Sequence, residues 1–155
     1  MKLQRISPCL WFDANAEEAV EHYMSIFANS KIEKISRHGE PEPGKRAKAM
    51  MIVFELDGLR LLALNGGPMF KFSEAISLSV SCADQHEVDH YWDRLVEGGT
   101  PSRCGWLKDK FGLSWQIVPQ ALERIMSGDG AQRAMGALMG MSKIDIAELE
   151  HARAG

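Results

Sequence analysis

The sequence has little of what would place a chain in a special class. No apolar stretch approaches the ~18 residues that a bilayer-crossing helix requires, so no membrane span is expected. Cysteines number three, and Cys9, Cys82 and Cys104 form no CxxC pair. They read as reduced thiols of a cytoplasmic protein, not as a disulfide frame or a zinc knuckle. Charge of one sign is not concentrated either. A net charge of −3 and a pI near 6.0 argue against general nucleic-acid binding, which needs a basic stripe. Lys2 and Arg5 precede an apolar run, but Pro8 and Asp13 cut it too short for a secretory signal. What remains is ordinary: 155 residues, 45% hydrophobic and 25% charged, read as one soluble domain. Such a length buries roughly 70% of its unfolded surface and needs no staple.

The spacing of apolar residues organises the chain. Ile6–Phe12 reads as a strand, and Asp13-Ala14-Asn15 is a cluster that caps helices. Ala16, Ala19, Val20, Tyr23, Ile26 and Phe27 then make one apolar face of a helix. Ser30–Ser36 alternates as a strand, and Glu40–Lys45 is a proline-broken loop. Met50–Leu56 and Leu59–Leu64 are strands joined by Asp57-Gly58, a two-residue hairpin signal. After Asn65-Gly66-Gly67-Pro68 the order begins again. Ala75–Ser81 alternates cleanly, with Ile76, Leu78 and Val80 directed at a helix layer. Asp84 and Glu87 resemble a capping box for a helix carrying Val88, Tyr91, Trp92, Leu95 and Val96, closed by Gly98-Gly99. Short strands near Ser102–Cys104 and at Trp106–Lys108 precede a last strand, Leu113–Val118, ended by Pro119. The two helices overlay with Tyr23 set on Trp92, so the order β-α-β-β-β occurs twice.

These elements predict an α+β fold of two βαβββ modules. Module 1 spans about residues 1–70, module 2 about 71–120, and a helical tail occupies 121–155. Gly128-Asp129-Gly130 splits that tail. Its methionines Met126, Met135, Met139 and Met141 offer an adaptable apolar surface. It packs either on its own domain or, through Ala134–Ile146, on a second subunit.

Four stretches carry a family resemblance. They are Pro8–Asp13 running into the first helix, Leu64-Asn-Gly-Gly-Pro68, Ala75–Val80 and, most specifically, Cys104–Pro119; Lys143–Ala147 is also typical. With these the chain resembles the PhnB-like branch of the vicinal oxygen chelate superfamily, often labelled 3-demethylubiquinone-9 3-methyltransferase-like. The superfamily includes glyoxalases, bleomycin-resistance proteins and dioxygenases, built from paired βαβββ modules, and the resemblance implies that the two modules here form an open, cup-shaped mixed sheet. The methyltransferase label is not expected to be literal. Asn65-Gly66-Gly67-Pro68 leads into another strand and lacks the GxGxxG spacing that meets a nucleotide at a helix N-terminus.

Metal-dependent members of the superfamily hold a divalent cation by His, Glu or Gln from the module strands. The resemblance places those positions at about Pro8, Asn65 (or Ala63), Ala75 and Gln116. Two lack a donor, and Asn65 and Gln116 are weak neutral ones. No metal and no cofactor are therefore expected. His86 and His90 stand at i and i+4 beside Asp89 and Asp93, but helix periodicity turns them away from the apolar stripe, toward solvent. His22, His38 and His151 do not converge with them.

Strand alternation puts Ser77, Ser79 and Ser114 with Gln116 in the cup and Asn65 at its rim. Trp106, Trp11 or Phe70 supplies an aromatic wall, which suits a small polar or amphipathic ligand. Cys104 is the one candidate nucleophile, with Lys108 a possible activator; the competing reading is a structural thiol, with Lys108 and Asp109 a turn ion pair. The expectation is a metal-independent small-molecule-binding protein. The alternative is a metal-dependent lyase, isomerase or dioxygenase of the glyoxalase type using Gln116 and Asn65. The partners expected are the small molecule and a second copy in a homodimer, with neither nucleic acid nor membrane.

Overall fold

The computed structural model describes residues 4–39, 43 and 48–155. The elements run β1 (Cys9–Phe12), α1 (Ala16–Ile26), β2 (Ser30–Arg37), β3 (Ala49–Leu56), β4 (Leu59–Asn65), β5 (Ser77–Cys82), α2 (Gln85–Val96), β6 (Thr100–Pro101), β7 (Trp106–Lys108), β8 (Ser114–Pro119), α3 (Ala121–Ile125), α4 (Ala131–Met139) and α5 (Ile146–Ala154). The β-α-β-β-β order thus occurs twice, followed by helices. The chain divides into two compact units, Met1–Lys71 and Phe72–Gly155. Apart from Pro43, which lies in a turn, the Glu40–Lys45 loop lies outside the described residues.

In the first unit the sheet order is β1-β4-β3-β2, with β1 parallel to β4 and the other pairs antiparallel. Its hairpin between β3 and β4 turns at Asp57 (φ 46°) and Gly58 (φ 86°). Two successive positive φ values suit the strand twist, and this is why Asp-Gly stands there. Leu10, Phe12, Ile52, Phe54, Leu61 and Ala63 are buried on one face. Ala16, Ala19, Val20, Tyr23 and Ile26 of α1 are buried against them. The first strand begins at Cys9, not Ile6: Ile6 is exposed, and pairing starts only where Pro8 O accepts from Leu62 N at 2.9 Å. The cap of α1 also differs from expectation. Asn15 makes no side-chain cap bond. Instead Asn65 reaches over from β4, its Oδ1 accepting from Ala16 N at 2.9 Å while its Nδ2 donates to Ala49 O at 2.9 Å.

The second unit repeats the plan with order β5-β8-β7-β6, β5 parallel to β8. Val88, Trp92 and Leu95 of α2 and Cys82, Leu107, Trp115 and Ile117 of the sheet form its core. Here the expected cap is present: Asp84 Oδ1 accepts from Glu87 N at 2.9 Å, and Glu87 Oε2 accepts from Ala83 N at 2.7 Å. Two expectations are corrected. Ile76 stays outside the core, 60% exposed, because β5 starts one residue later. The strand expected near Ser102–Cys104 is Thr100–Pro101, since Cys104 (φ 57°) and Gly105 (φ 84°) form a left-handed turn. A Cβ at position 105 would stand 2.7 Å from Ile117 O and 2.9 Å from Ile144 Cδ1, so glycine is required there.

The tail packs on its own unit. Ile125, Ala134, Leu138, Met141, Ile144 and Leu149 make a cluster with Cys104 at its edge. Cys104 N and Gly105 N donate to Met141 O and Ser142 O, at 2.9 and 2.8 Å. Gln85 clamps the segment before α5, donating to Ile144 O at 3.0 Å and accepting from Ile146 N at 2.9 Å. Of the methionines expected to form an outer surface, Met141 is buried, whereas Met135 and Met139 remain exposed.

Candidate functional site

The face of the second sheet turned away from α2 is read directly from the pairing. Cross-strand partners share a face. The pairs Ser79↔Gln116 and Trp106↔Gln116 make one row, and Ser77↔Ser114, Lys108↔Ser114 and Thr100↔Lys108 make the next. The structure thus brings Ser77, Ser79, Trp106, Ser114 and Gln116 onto one open face, together with Lys108 and Thr100. Ser79 is exposed, while Ser77, Trp106, Lys108 and Gln116 are half-buried.

Within this face Gln116 Nε2 donates to Ser77 Oγ at 2.9 Å, and Lys108 forms an ion pair with Glu74, which lies in the loop before β5. Lys108 holds the Glu74 carboxyl below its ordinary range, chiefly through the hydrogen bond. Ser114 is 1% exposed, and its hydroxyl has no hydrogen-bond partner among the described residues. A buried unpaired hydroxyl is destabilising by about 1–3 kcal/mol.

Two residues of this region escaped the sequence reading. Lys108 was read either as an activator of Cys104 or as a turn partner of Asp109, yet its parity with Trp106, Ser114 and Gln116 already places it on the polar face. Asp109, 3% exposed, is the organiser of the β7–β8 turn. Its Oδ1 accepts from Phe111 N and Leu113 N at 2.9 and 3.0 Å, and its Oδ2 accepts from Trp115 Nε1 at 2.9 Å.

The remaining candidates lie apart from this face or are engaged otherwise. Asn65 belongs to the first unit and, paired with Phe12, sits on the side of the sheet that packs on α1. Its carboxamide hydrogen-bonds at both ends, to Ala16 N and Ala49 O, and so clamps α1 to β3. Trp11 donates from Nε1 to Gly67 O at 2.9 Å and meets Phe70 edge-on at 5.0 Å, also within the first unit. Cys104 Sγ lies 3.6 Å from Leu138 O and 3.9 Å from Met139 Sδ, and Lys108 is held by Glu74 instead. The thiol therefore sits in a packing role. Among the described residues, concavities of about 330 Å³ beside Asn65 and about 570 Å³ beside Lys143 stand elsewhere. Asn65 in the first, and Gln85, Lys143 and Asp145 in the second, already bond within the fold.

The divalent site implied by the superfamily does not fit this donor set. Pro8, Ala63 and Ala75 carry no donor atom, Asn65 is committed on the helix side, and Gln116 offers one carbonyl oxygen. Among the described residues no group of three or more His, Cys, Asp or Glu stands close enough to hold a metal ion. His86 and His90 are both exposed on α2.

A family model described as 3-demethylubiquinone-9 3-methyltransferase matches residues 4–118, so α3–α5 lie beyond it. A solved PhnB protein from Bacillus cereus, described under the same methyltransferase heading, is 34% identical, with a TM-score of 0.68 over 75% of this chain and 99% of that one. A glyoxylase/bleomycin resistance protein/dioxygenase domain from Frankia sp. shares the fold at 16% identity and TM-score 0.51, over 76% of this chain and 93% of its own. So does the fosfomycin resistance protein FosX from Listeria monocytogenes, solved with Mn(II) and sulfate, at 15% identity and TM-score 0.53, over 82% of this chain and 100% of its own. No curated protein sequence matches.

Proposed function

We infer the function from a plain premise: the chain belongs to the 3-demethylubiquinone-9 3-methyltransferase family and has the glyoxalase/bleomycin-resistance fold. On it we propose a PhnB-like small-molecule-binding protein of the vicinal oxygen chelate superfamily, whose ligand rests on the polar face of the second sheet. One observation carries this reading. Ser77, Ser79, Ser114, Gln116 and Lys108 stand side by side on an open sheet face, and the buried Ser114 hydroxyl there is unpaired. A polar group left unpaired in a fold is unfavourable unless something meets it, and Trp106 adds a flat apolar wall.

Methyl transfer in the literal sense lacks support. The strand-to-helix turns before α1, α2 and α3 contain no glycine. Backbone amides at such a turn are what usually cradle a nucleotide-bearing donor. The glycines at 66 and 67 lead toward β5 instead. The glyoxalase-type alternative through Asn65 and Gln116 fares no better, given the commitment of Asn65 to α1.

The test is chemical-shift mapping of the full chain against a set of small polar aromatic fragments. Perturbations are expected at the amides of 77–81, 106–108 and 114–118, and Gln116→Ala is expected to weaken them about tenfold. Fragments that perturb only other regions would overturn the reading.

We also propose a cytoplasmic homodimer. The three free cysteines suit a reducing compartment. Met135 and Met139 give α4 an exposed apolar edge suited to a second copy. Light scattering at twice the 17.3 kDa chain mass is the expected result, and the chain mass alone would refute it.

A further inference from the structure

We propose that the polar face takes small planar carboxylates, with Lys108 meeting the anion, Trp106 flanking the planar body, and Glu74 an internal occupant that the ligand displaces. This deepens the binding reading above and rests on it.

The argument starts from the row Ser77, Ser114, Lys108. Neighbouring strands are about 4.8 Å apart, so these side chains rise from the sheet as near neighbours. Ser77 Oγ accepts from Gln116, which leaves its own proton to donate. The Ser114 hydroxyl is unpartnered. Two hydroxyl donors and an ammonium in one line form a surface matched to an anion's oxygens.

The chain itself displays the match. Glu74, three residues before β5, lays its carboxylate on Lys108. A carboxylate therefore fits at this spot, and the depressed Glu74 carboxyl agrees with a locus that favours negative charge. Both partners are substantially exposed, 41% and 62%. An exposed pair of this kind contributes little to stability, so exchange for an external carboxylate is easy. Trp106 lies two residues from Lys108 on the same face, about 7 Å along the strand. That offset lets a ring stand beside the indole while its carboxylate reaches the ammonium.

The experiment uses the full chain with benzoate and with benzamide, which keeps the ring and removes the charge. Backbone amide shifts give both location and affinity. Benzoate is expected to perturb the amides of 77, 106–108 and 114–116 and to bind about tenfold tighter than benzamide. Lys108→Met is expected to bring the two within about twofold, and Glu74→Gln to tighten benzoate about threefold without changing benzamide. Equal binding of both probes on this face, or a benzoate preference that survives Lys108→Met, overturns the carboxylate assignment while leaving the binding face standing. Shifts from both probes confined to other regions overturn the face as well.

Discussion

In the first sheet the side turned away from α1 carries Cys9, Trp11, Met51, Val53, Leu62 and Leu64, with Glu55 and Arg60 beside the hairpin, whereas in the second the side turned away from α2 carries Ser77, Ser79, Lys108, Ser114 and Gln116 around Trp106, with Val118 at its end. The strand order is the same in both, β1-β4-β3-β2 and β5-β8-β7-β6. The helix-packed faces are alike as well, built of buried leucines, isoleucines and aromatics. Folding requires apolar side chains on only one side of each sheet. The other side is free to vary, and it is there that the two repeats diverge. The second sheet has more hydroxyl and amide side chains on that side, the first more apolar ones.

The repeats also differ in how they close their turns. Backbone conformation alone closes the β3–β4 hairpin, at Asp57-Gly58. A buried side chain, Asp109, closes the β7–β8 turn by collecting Phe111 N, Leu113 N and Trp115 Nε1. Asp109→Ala would leave these donors unmet in the core and is expected to destabilise the protein by about 3 kcal/mol. Thermal melting should show this as a drop of roughly 10 °C. Asp57→Ala removes a residue tolerant of positive φ and an exposed acceptor for Asn29 Nδ2 at 3.3 Å, and should cost about 1 kcal/mol. Equal losses in the two variants would break the contrast.

A smaller contrast lies in the helix caps. Asn65 caps α1 from a neighbouring strand and also ties Ala49, while Asp84 caps α2 from within its own segment. Loss of two bonds in Asn65→Ala is expected to cost about 2 kcal/mol, and loss of the local cap in Asp84→Ala about 1 kcal/mol. Urea unfolding midpoints measure both. Asn65→Ala should also leave fragment binding at the second sheet unchanged, which would separate its clamp role from any ligand role.

What the sequence made legible follows from the range of the interactions. Period and punctuation gave both modules, the Asp57-Gly58 turn and the Asp84 cap, because each is set within a few residues. Alternation gave the shared parity of Ser77, Ser79, Ser114 and Gln116, because strand geometry is periodic. Asn65 as the cap of α1 was hidden, since its partner lies 49 residues away. Asp109 was hidden for a related reason. A carboxylate next to Lys108 reads as a surface ion pair until the turn folds it inward onto Trp115. Lys108 was visible by parity but was read with Cys104 or Asp109, the partners closest to it in sequence.

The faintest contrast is between the cysteines of the two first strands. Cys9 is exposed on the open face of β1, and Cys82 is fully buried on the helix face at the end of β5. Burial pushes the Cys82 thiol up to about 11, with the Glu87 and Asp84 carboxylates adding to the shift. A thiol held neutral in the fold ionises near 8.5 once unfolded. The unfolded chain then binds fewer protons than the native one between these values, so stability is full below about pH 8.5 and is lost as pH rises toward 11. The loss attributable to Cys82 is expected to be about 1 kcal/mol by pH 9 and about 2 kcal/mol by pH 10. Urea titrations at pH 8 and pH 10 read it as the difference in slope between the native sequence and Cys82→Ala. Alkylation gives the same contrast kinetically: iodoacetamide should modify Cys9 in the native protein and reach Cys82 only in urea. A Cys82 that reacts as fast as Cys9 would mean that the second unit opens far more readily than its buried core implies.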